Sequence, residues 1–431
     1  MKKLVALFLA LMMVFSVMSF AAAEDKLVIK FWHHAASGAL LSVVEDSIAT
    51  FNSTIGAEKG IEVVGEYVGS YHDILAKVQL SLSSGDQPVV AVSGLFQIAP
   101  QVEDGILADL APFIAEDGFD MDNFFECFQE VYEADGGHVW AMPYVRSTPM
   151  LYYNKTMADA KNLTPPTTME ELEEFCKALY VPGENGNVET YGLEIPGSSF
   201  TYGTPMPDML GSSYVSEDKT YSPCLEDGTL LRIFQDYRRW VDEGWCKGYD
   251  AQGGSAVLER FYTGRLAALL NSSGGLVGAM NAMAEAGYEL GVCNYPYYSD
   301  GKPAVAIGGG SISLLAEGNT EEQQRAGWEF IKFLMSDEMI YRMSAGTGYV
   351  PTTKSVAEYP AMLEYWEQYP VTKVAYDQMA VGVAQEKGVI NQMTEYMNAG
   401  FEALDLLIQA RTITAEEAIE MLKTTTAEYF E

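Results

Sequence analysis

LVIKFWHHAASGALLSVVEDSIATFNSTIGAEKGIEVVGEYVGSYHDILAKVQLSLSSGDQPVVAV, residues 27–92, switches between two hydrophobic periods. Residues 27–31 are a short apolar run of strand length. Leu41, Val44, Ile48 and Phe51 then recur at helical spacing, and residues 61–67 form a second strand-like run. From Tyr71 the helical period returns, with Ile74, Leu75, Val78 and Leu82 on one face and Gly85 as the stop, before a third apolar run at residues 89–92. Strand, helix, strand, helix, strand with short connections predicts a parallel sheet flanked by helices, with ligands at the carboxyl ends of its strands.

The same rhythm restarts further along. Residues 150–153 read as a strand, and Pro165-Pro166-Thr167-Thr168-Met169-Glu170-Glu171 opens a helix through a Thr-x-x-Glu capping box. Residues 265–270 are a strand that ends in the polar turn Asn271-Ser272-Ser273-Gly274-Gly275. Residues 304–307 lead through Gly308-Gly309-Gly310 into 311–315, and a capped helix is expected from Thr320 to about Met335. A chain of 431 residues exceeds what one hydrophobic core supports. Two α/β lobes without a linker between them imply that the chain crosses from one to the other more than once.

Upstream of the first strand, Lys2 and Lys3 precede an apolar run over residues 4–20 and then Ala21, Ala22 and Ala23, the layout of a cleaved secretory signal over residues 1–23. Small residues suit signal-peptidase subsites, and the run is short for a membrane anchor. No Cys stands at the cleavage point to carry a lipid, so the mature chain is expected outside the cytoplasm, in a periplasm or the medium. The formal net charge is −34, and loss of Lys2 and Lys3 makes it more negative, which excludes nucleic acid and anionic membrane as partners. The acids are scattered, and 48% hydrophobic with 12% aromatic residues suffices for a core. Cys127, Cys176, Cys224, Cys246 and Cys293 show no C-x-x-C spacing, which disfavours a disulfide framework and a zinc site and leaves Cys224–Cys246 as the one candidate bridge.

Six segments together resemble the extracellular solute-binding proteins of carbohydrate importers, and among them the glycerol-3-phosphate binders. They are FWHH (31–34), YHDILAKVQLSLSSGDQP (71–88), STPMLYYNK (147–155), RFYTGRLAALLNSSG (260–274), AIGGGSISL (306–314) and AGTGYVPTT (345–353). The resemblance implies an α/β, two-lobed periplasmic binding protein fold of type II, each lobe a sheet flanked by helices, with several hinge crossings. It places residues 24–146 and 304–348 in the N-terminal lobe, and 147–303 and 349–431 in the C-terminal lobe. It implies a monomer that captures a small solute, here a sugar, polyol or glycerol phosphate, and passes it to the permease subunits of an ABC transporter, with no cofactor and no metal. By the same resemblance Tyr71, Ser147, Ser272, Gly309 and Tyr349 are ligand-binding residues. For each, the plainer reading is an ordinary turn, hinge or helix-entry residue.

The departures bear on the ligand. Leu95 stands where glycerol-3-phosphate binders carry an acid for the glycerol hydroxyls, and Asn398 stands where they carry an arginine. Loss of that cation removes a charge-assisted hydrogen bond to phosphate. Arg146 is the candidate replacement, with an exposed hinge arginine as its plainer reading. Met169 occupies a tryptophan position, and Trp32, Phe200 and Tyr202 are the nearby candidates for stacking on a sugar face, although such rings are more often core. A sugar or sugar-like polyol is therefore expected ahead of glycerol phosphate.

Other chemistries are weaker. A glycoside hydrolase needs two acids flanking one bond, but 60 acids make chance pairs unavoidable. No Gly-x-Ser-x-Gly elbow is present, and the triple glycine lacks the Lys-Ser/Thr tail of a phosphate loop. His33 and His34 are adjacent, so on a strand they face opposite ways, one to the cleft mouth and one into the lobe. No Asp-x-Asp-x-Asp-Gly calcium loop and no repeat of an adhesive protein appears.

Overall fold

The computed structural model describes residues 26–129, 133–134, 137–195, 200, 204–248, 254–383 and 392–430. The expected signal segment and Tyr202 lie outside the described residues. The chain opens with β1 (Leu27–His33), α1 (Gly38–Ser53), β2 (Ile61–Tyr67), α2 (Tyr71–Leu82) and β3 (Val90–Gly94). The alternation read from the sequence is thus observed. The start of α2 is fixed by a capping box in which the Ser70 hydroxyl accepts from Asp73 N–H and the Asp73 carboxylate accepts from Ser70 N–H.

After β4 (Met142–Ser147) the chain leaves this sheet within two residues and starts β5 (Pro149–Asn154) in another. The second sheet adds β6 (Val188–Glu194), β7 (Cys246–Lys247), β8 (Leu266–Ser272) and β9 (Leu290–Cys293), with α3 (Met169–Leu179) and α4 (Thr229–Asp242) packed among them. Thr168 and Glu171 form the expected capping box at α3. The chain then returns to the first sheet as β10 (Gly308–Leu314), continues into α5 (Glu321–Leu334) and α6 (Asp337–Thr347), and ends in the second lobe with α7 (Met393–Leu404) and α8 (Ala415–Thr426).

Strand order is β2-β1-β3-β10-β4 in the first sheet, and β7-β6-β8-β5-β9 in the second, where residues 181–182 add a short sixth strand beside β6. The sheets are mixed rather than parallel. β2, β1 and β3 run parallel, but β10 is antiparallel to β3 and to β4. In the second sheet β5 is antiparallel to β8 and to β9. The reason is topological: β10 and β5 each enter their sheet from the other lobe, at the carboxyl edge, and must run backwards from there. Pro149, the first residue of β5, is level with Ser272, the last of β8, and Gly308 is level with Ser147. The carboxyl edges of both sheets therefore meet at the crossings.

The triple glycine is not a turn before the strand but the start of β10 itself. Gly309 has φ +89°, and a Cβ there would overlap the Val145 carbonyl oxygen on β4. Glycine is required by close backbone approach in a left-handed conformation, independently of any ligand. Each lobe has its own apolar core, one around Phe31, Val90, Trp328 and Phe330, the other around Tyr152, Leu193, Phe234 and Leu269. Cys224 and Cys246 are separate buried thiols, and the candidate bridge between them does not form. The Cys224 thiol instead sits beside the Ser222 and Tyr396 hydroxyls.

Gly309→Ala is expected to lower unfolding stability by about 2 kcal/mol or more, because strain and overlap act together. Urea melts of the two proteins measure this, and equal midpoints would contradict the steric account.

Candidate functional site

On the first lobe, Tyr71 opens α2 and lays its ring over the paired glycines Gly94 and Gly310, the last residue of β3 and its partner on β10. A Cβ at Gly310 would lie 2.9 Å from the Tyr71 ring and hydroxyl, and one at Gly94 would lie 3.1 Å from the ring. Two small residues in register thus create the floor on which the ring rests. His34, just past β1, completes the group, with ring centroids 4.7 Å apart and 3.4 Å between the Tyr71 hydroxyl and His34 Nε2. Burial, with His33 beside it, pushes the His34 imidazole down to about 4, so it is neutral near pH 7. His33 is buried and faces Phe31 and Gly65. The two histidines divide as their adjacency on a strand requires.

On the crossings, Ser147 and Arg146 end β4 opposite Gly308 and Gly309. Arg146 is not an exposed hinge arginine. It is wholly buried, its Nη2 donates to Ser311 Oγ at 3.1 Å, and its guanidinium lies 5.7 Å from the Phe128 ring. Ser272 ends β8 and accepts from Gly274 N–H at 3.2 Å, shaping the turn that follows. Tyr349 follows Gly348, whose φ of +99° ends α6. Its ring packs on Gly274, where a Cβ would lie 2.7 Å away, and burial raises its hydroxyl to about 12. The neighbouring Val350 N–H donates to the Arg146 carbonyl at 2.7 Å.

Leu95, 6% exposed, begins the turn after β3. The structure thus brings Tyr71, Leu95, Arg146, Ser147, Ser272, Gly309 and Tyr349 to the strand ends beside the crossings. Trp32 is not among them. Trp32 is a core residue and not a stacking platform: it is fully buried, its Nε1 donates to Glu66 at 2.9 Å and the Lys77 ammonium covers its ring at 4.2 Å. Asn398 lies on the exposed face of α7. Phe200 packs on Tyr214, Phe234 and Gly400, and Met169 is buried at the start of α3.

Sequence reasoning missed Thr148, Ser273 and Gln378, which hold the crossing together. Thr148 N–H donates to Ser273 Oγ, and Ser273 N–H donates back to the Thr148 carbonyl. Gln378 donates to both Thr148 Oγ1 and the Pro149 carbonyl. The Ser-Thr-Pro sequence after β4 signals the first of these partners. A single glutamine 230 residues away carries no local signal.

Two α/β lobes whose carboxyl edges meet at repeated strand crossings define the two-lobed binding-protein fold. Residues 47–371 match the family of bacterial extracellular solute-binding proteins, and the chain belongs to it. It is 25% identical over 415 residues to the sn-glycerol-3-phosphate-binding periplasmic protein UgpB of Rhizobium meliloti, covering 90% of this chain and 91% of that protein. Identity to UgpB of Salmonella typhimurium is 26% over 371 residues, 81% of this chain and 80% of that one. Among solved structures, UgpB of Mycobacterium tuberculosis in complex with glycerophosphocholine superposes with TM-score 0.78 at 21% identity, covering 93% of this chain and 98% of that one. The cyclic alpha-maltosyl-1,6-maltose binding protein of Arthrobacter globiformis gives 0.76 at 20% identity, with 94% and 99% covered. These likenesses establish the fold.

Because folding lowers the His34 pKa, the unfolded chain takes up the proton first. The stability this contributes is complete above about pH 6.5 and is lost as pH falls toward 4, on the order of 1–3 kcal/mol. His33, lowered chiefly by the same burial, acts in the same direction. Urea melts at pH 7 and pH 4.5 measure the loss, and His34→Asn should shrink the difference; an undiminished difference would assign the acid sensitivity elsewhere.

Proposed function

We propose that this protein is the solute-binding component of an ABC importer, and that it captures a neutral sugar or sugar-like polyol between its lobes and presents it to membrane permease subunits. The observation that carries the proposal is the convergence of Tyr71, Ser147, Ser272 and Tyr349, neutral hydroxyl-bearing residues, at the carboxyl edges of both sheets. Hydroxyls and exposed peptide groups match sugar hydroxyls, and the tyrosine rings supply apolar surface for a sugar face. The mobile units are the two lobes; the bounds expected from the resemblance shift at the crossings, because Ser147 pairs in the first sheet and Ala304, Val305, Ala306 and Ile307 pack in the core of the second lobe. A ligand that touches both favours the closed arrangement by its differential affinity for it.

A glycerol phosphate or glycerophosphodiester is the second reading, favoured by the names of the relatives. Against it stand Leu95 in place of an acid and the burial of Arg146 against Ser311 and Phe128. No chemical change of the solute is part of the proposal. Neighbouring hydroxyls, a neutral imidazole and peptide groups bind hydroxyls without supplying an acid and base pair. A chromogenic glycoside should remain intact on prolonged incubation.

A thermal-shift screen against neutral sugars, polyols, glycerol 3-phosphate and glycerophosphodiesters tests the assignment. A solute at a hundred times its Kd adds about 3 kcal/mol to the unfolding free energy. A shift with a neutral sugar or polyol alone is the expected result; a shift confined to phosphates would replace this reading with the second. For the solute that binds, Tyr71→Phe and Tyr349→Phe are each expected to raise Kd about tenfold with little change in melting temperature. Unchanged affinity in both would remove the tyrosines from the site.

A further inference from the structure

We propose that Gln378 is a hinge-positioning residue: it fastens the Thr148–Pro149 crossing to the second lobe, so that lobe closure bends the chain just after Ser147 and just before Gly308. The side chain is 1% exposed and its carboxamide is fully engaged. Nε2 donates to Thr148 Oγ1 and to the Pro149 carbonyl, both at 2.9 Å, while Oε1 accepts from Tyr295 N–H at 2.6 Å. Only one orientation of the amide satisfies all three partners, because a backbone N–H cannot accept and a carbonyl cannot donate. Both amide hydrogens are then committed. The Thr148 hydroxyl, accepting one of them, gives its own hydrogen to the Ala306 carbonyl at 3.0 Å.

This chain of donors joins segments far apart in sequence: the first crossing at 148–149, the return crossing at 306, and Tyr295 just beyond β9. Residues 305–306 are held again by parallel pairing with 382–383, four residues beyond Gln378. Tyr295, Ala306 and Ile307 belong to the core of the second lobe. Thr148, Pro149 and Ala306 are therefore one body with that lobe. On the other side, Ser147 with Gly308 and Arg146 with Gly309 are ladder pairs of the first sheet. The joints left between the bodies at these two crossings are the peptide units after Ser147 and before Gly308. Hinges concentrate φ/ψ change in a few such positions, and glycine accepts it most readily. Ser147 and Gly309 then move with the first lobe while Ser272 moves with the second.

The test is pulsed electron paramagnetic resonance on the solute-free protein, with spin labels at Leu80→Cys on α2 and Glu420→Cys on α8. Both side chains are about three-quarters exposed, and the native thiols are buried or half-buried. Gln378→Leu removes the whole relay, and Thr148→Val removes only its middle link with almost no change of shape. Both are expected to broaden the inter-lobe distance distribution by half or more, and Gln378→Leu to speed exchange of the Tyr295 amide at least tenfold. If Gln378→Leu does not fold, Thr148→Val decides alone. An unchanged distribution with a lowered melting temperature would overturn the proposal and leave Gln378 an ordinary buried polar residue. The readout needs no solute, so it stands apart from the identity of the ligand.

Discussion

The structure depends on a constraint set by hydrogen bonding: where a chain passes from one sheet to another, its peptide groups leave both ladders and still lie buried. Such groups are costly to leave without partners. At the Ser147–Pro149 crossing proline removes one donor outright, and side chains take the place of strands for the rest. Ser273 serves the Thr148 peptide, and Gln378 serves the Pro149 carbonyl. Side-chain partners hold a crossing without forcing the two sheets into one twisted surface. Two lobes can then be joined firmly and still move as separate bodies.

The same crossings build the site. A strand entering from the other lobe begins at the carboxyl edge of its new sheet and runs against its neighbours, which is why β5 and β10 are the antiparallel members. Carboxyl ends of parallel strands and entry points of the crossing strands thereby fall on one line between the lobes. Glycines at that line are explained first by close packing: Gly309 is demanded by the Val145 carbonyl, Gly310 by the ring of Tyr71, and Gly94 by the Gln97 carboxamide with the Tyr71 ring close behind. Their placement beside a ligand site follows from the topology that brings strand ends together.

Charge has a different distribution from the site. Ion pairs such as Glu173 with Arg239 and Lys177 lie on the lobe surfaces, and the Arg239 guanidinium holds the Glu173 carboxyl down to about 2. Glu194 and Arg260 form a bidentate pair that is buried in the second lobe. The groups gathered beside the crossings are hydroxyls, a neutral imidazole and peptide units, together with the buried guanidinium of Arg146. The acidic surface therefore does not dictate the sign of the solute.

Local sequence determined the elements. The period-2 and period-3.6 runs between residues 27 and 92, and the Thr168 and Thr320 caps, specify strands and helices because propensity, capping and burial of one face act over a few residues. Resemblance to a family, and not any local period, singled out Tyr71, Ser147, Ser272 and Tyr349 as candidate site residues. Tertiary structure alone decided strand direction, the burial of Trp32 and Arg146 and the separation of Cys224 from Cys246. It alone brought Gln378 to Thr148. Those outcomes depend on which surfaces meet across more than a hundred residues, and no local period records such meetings.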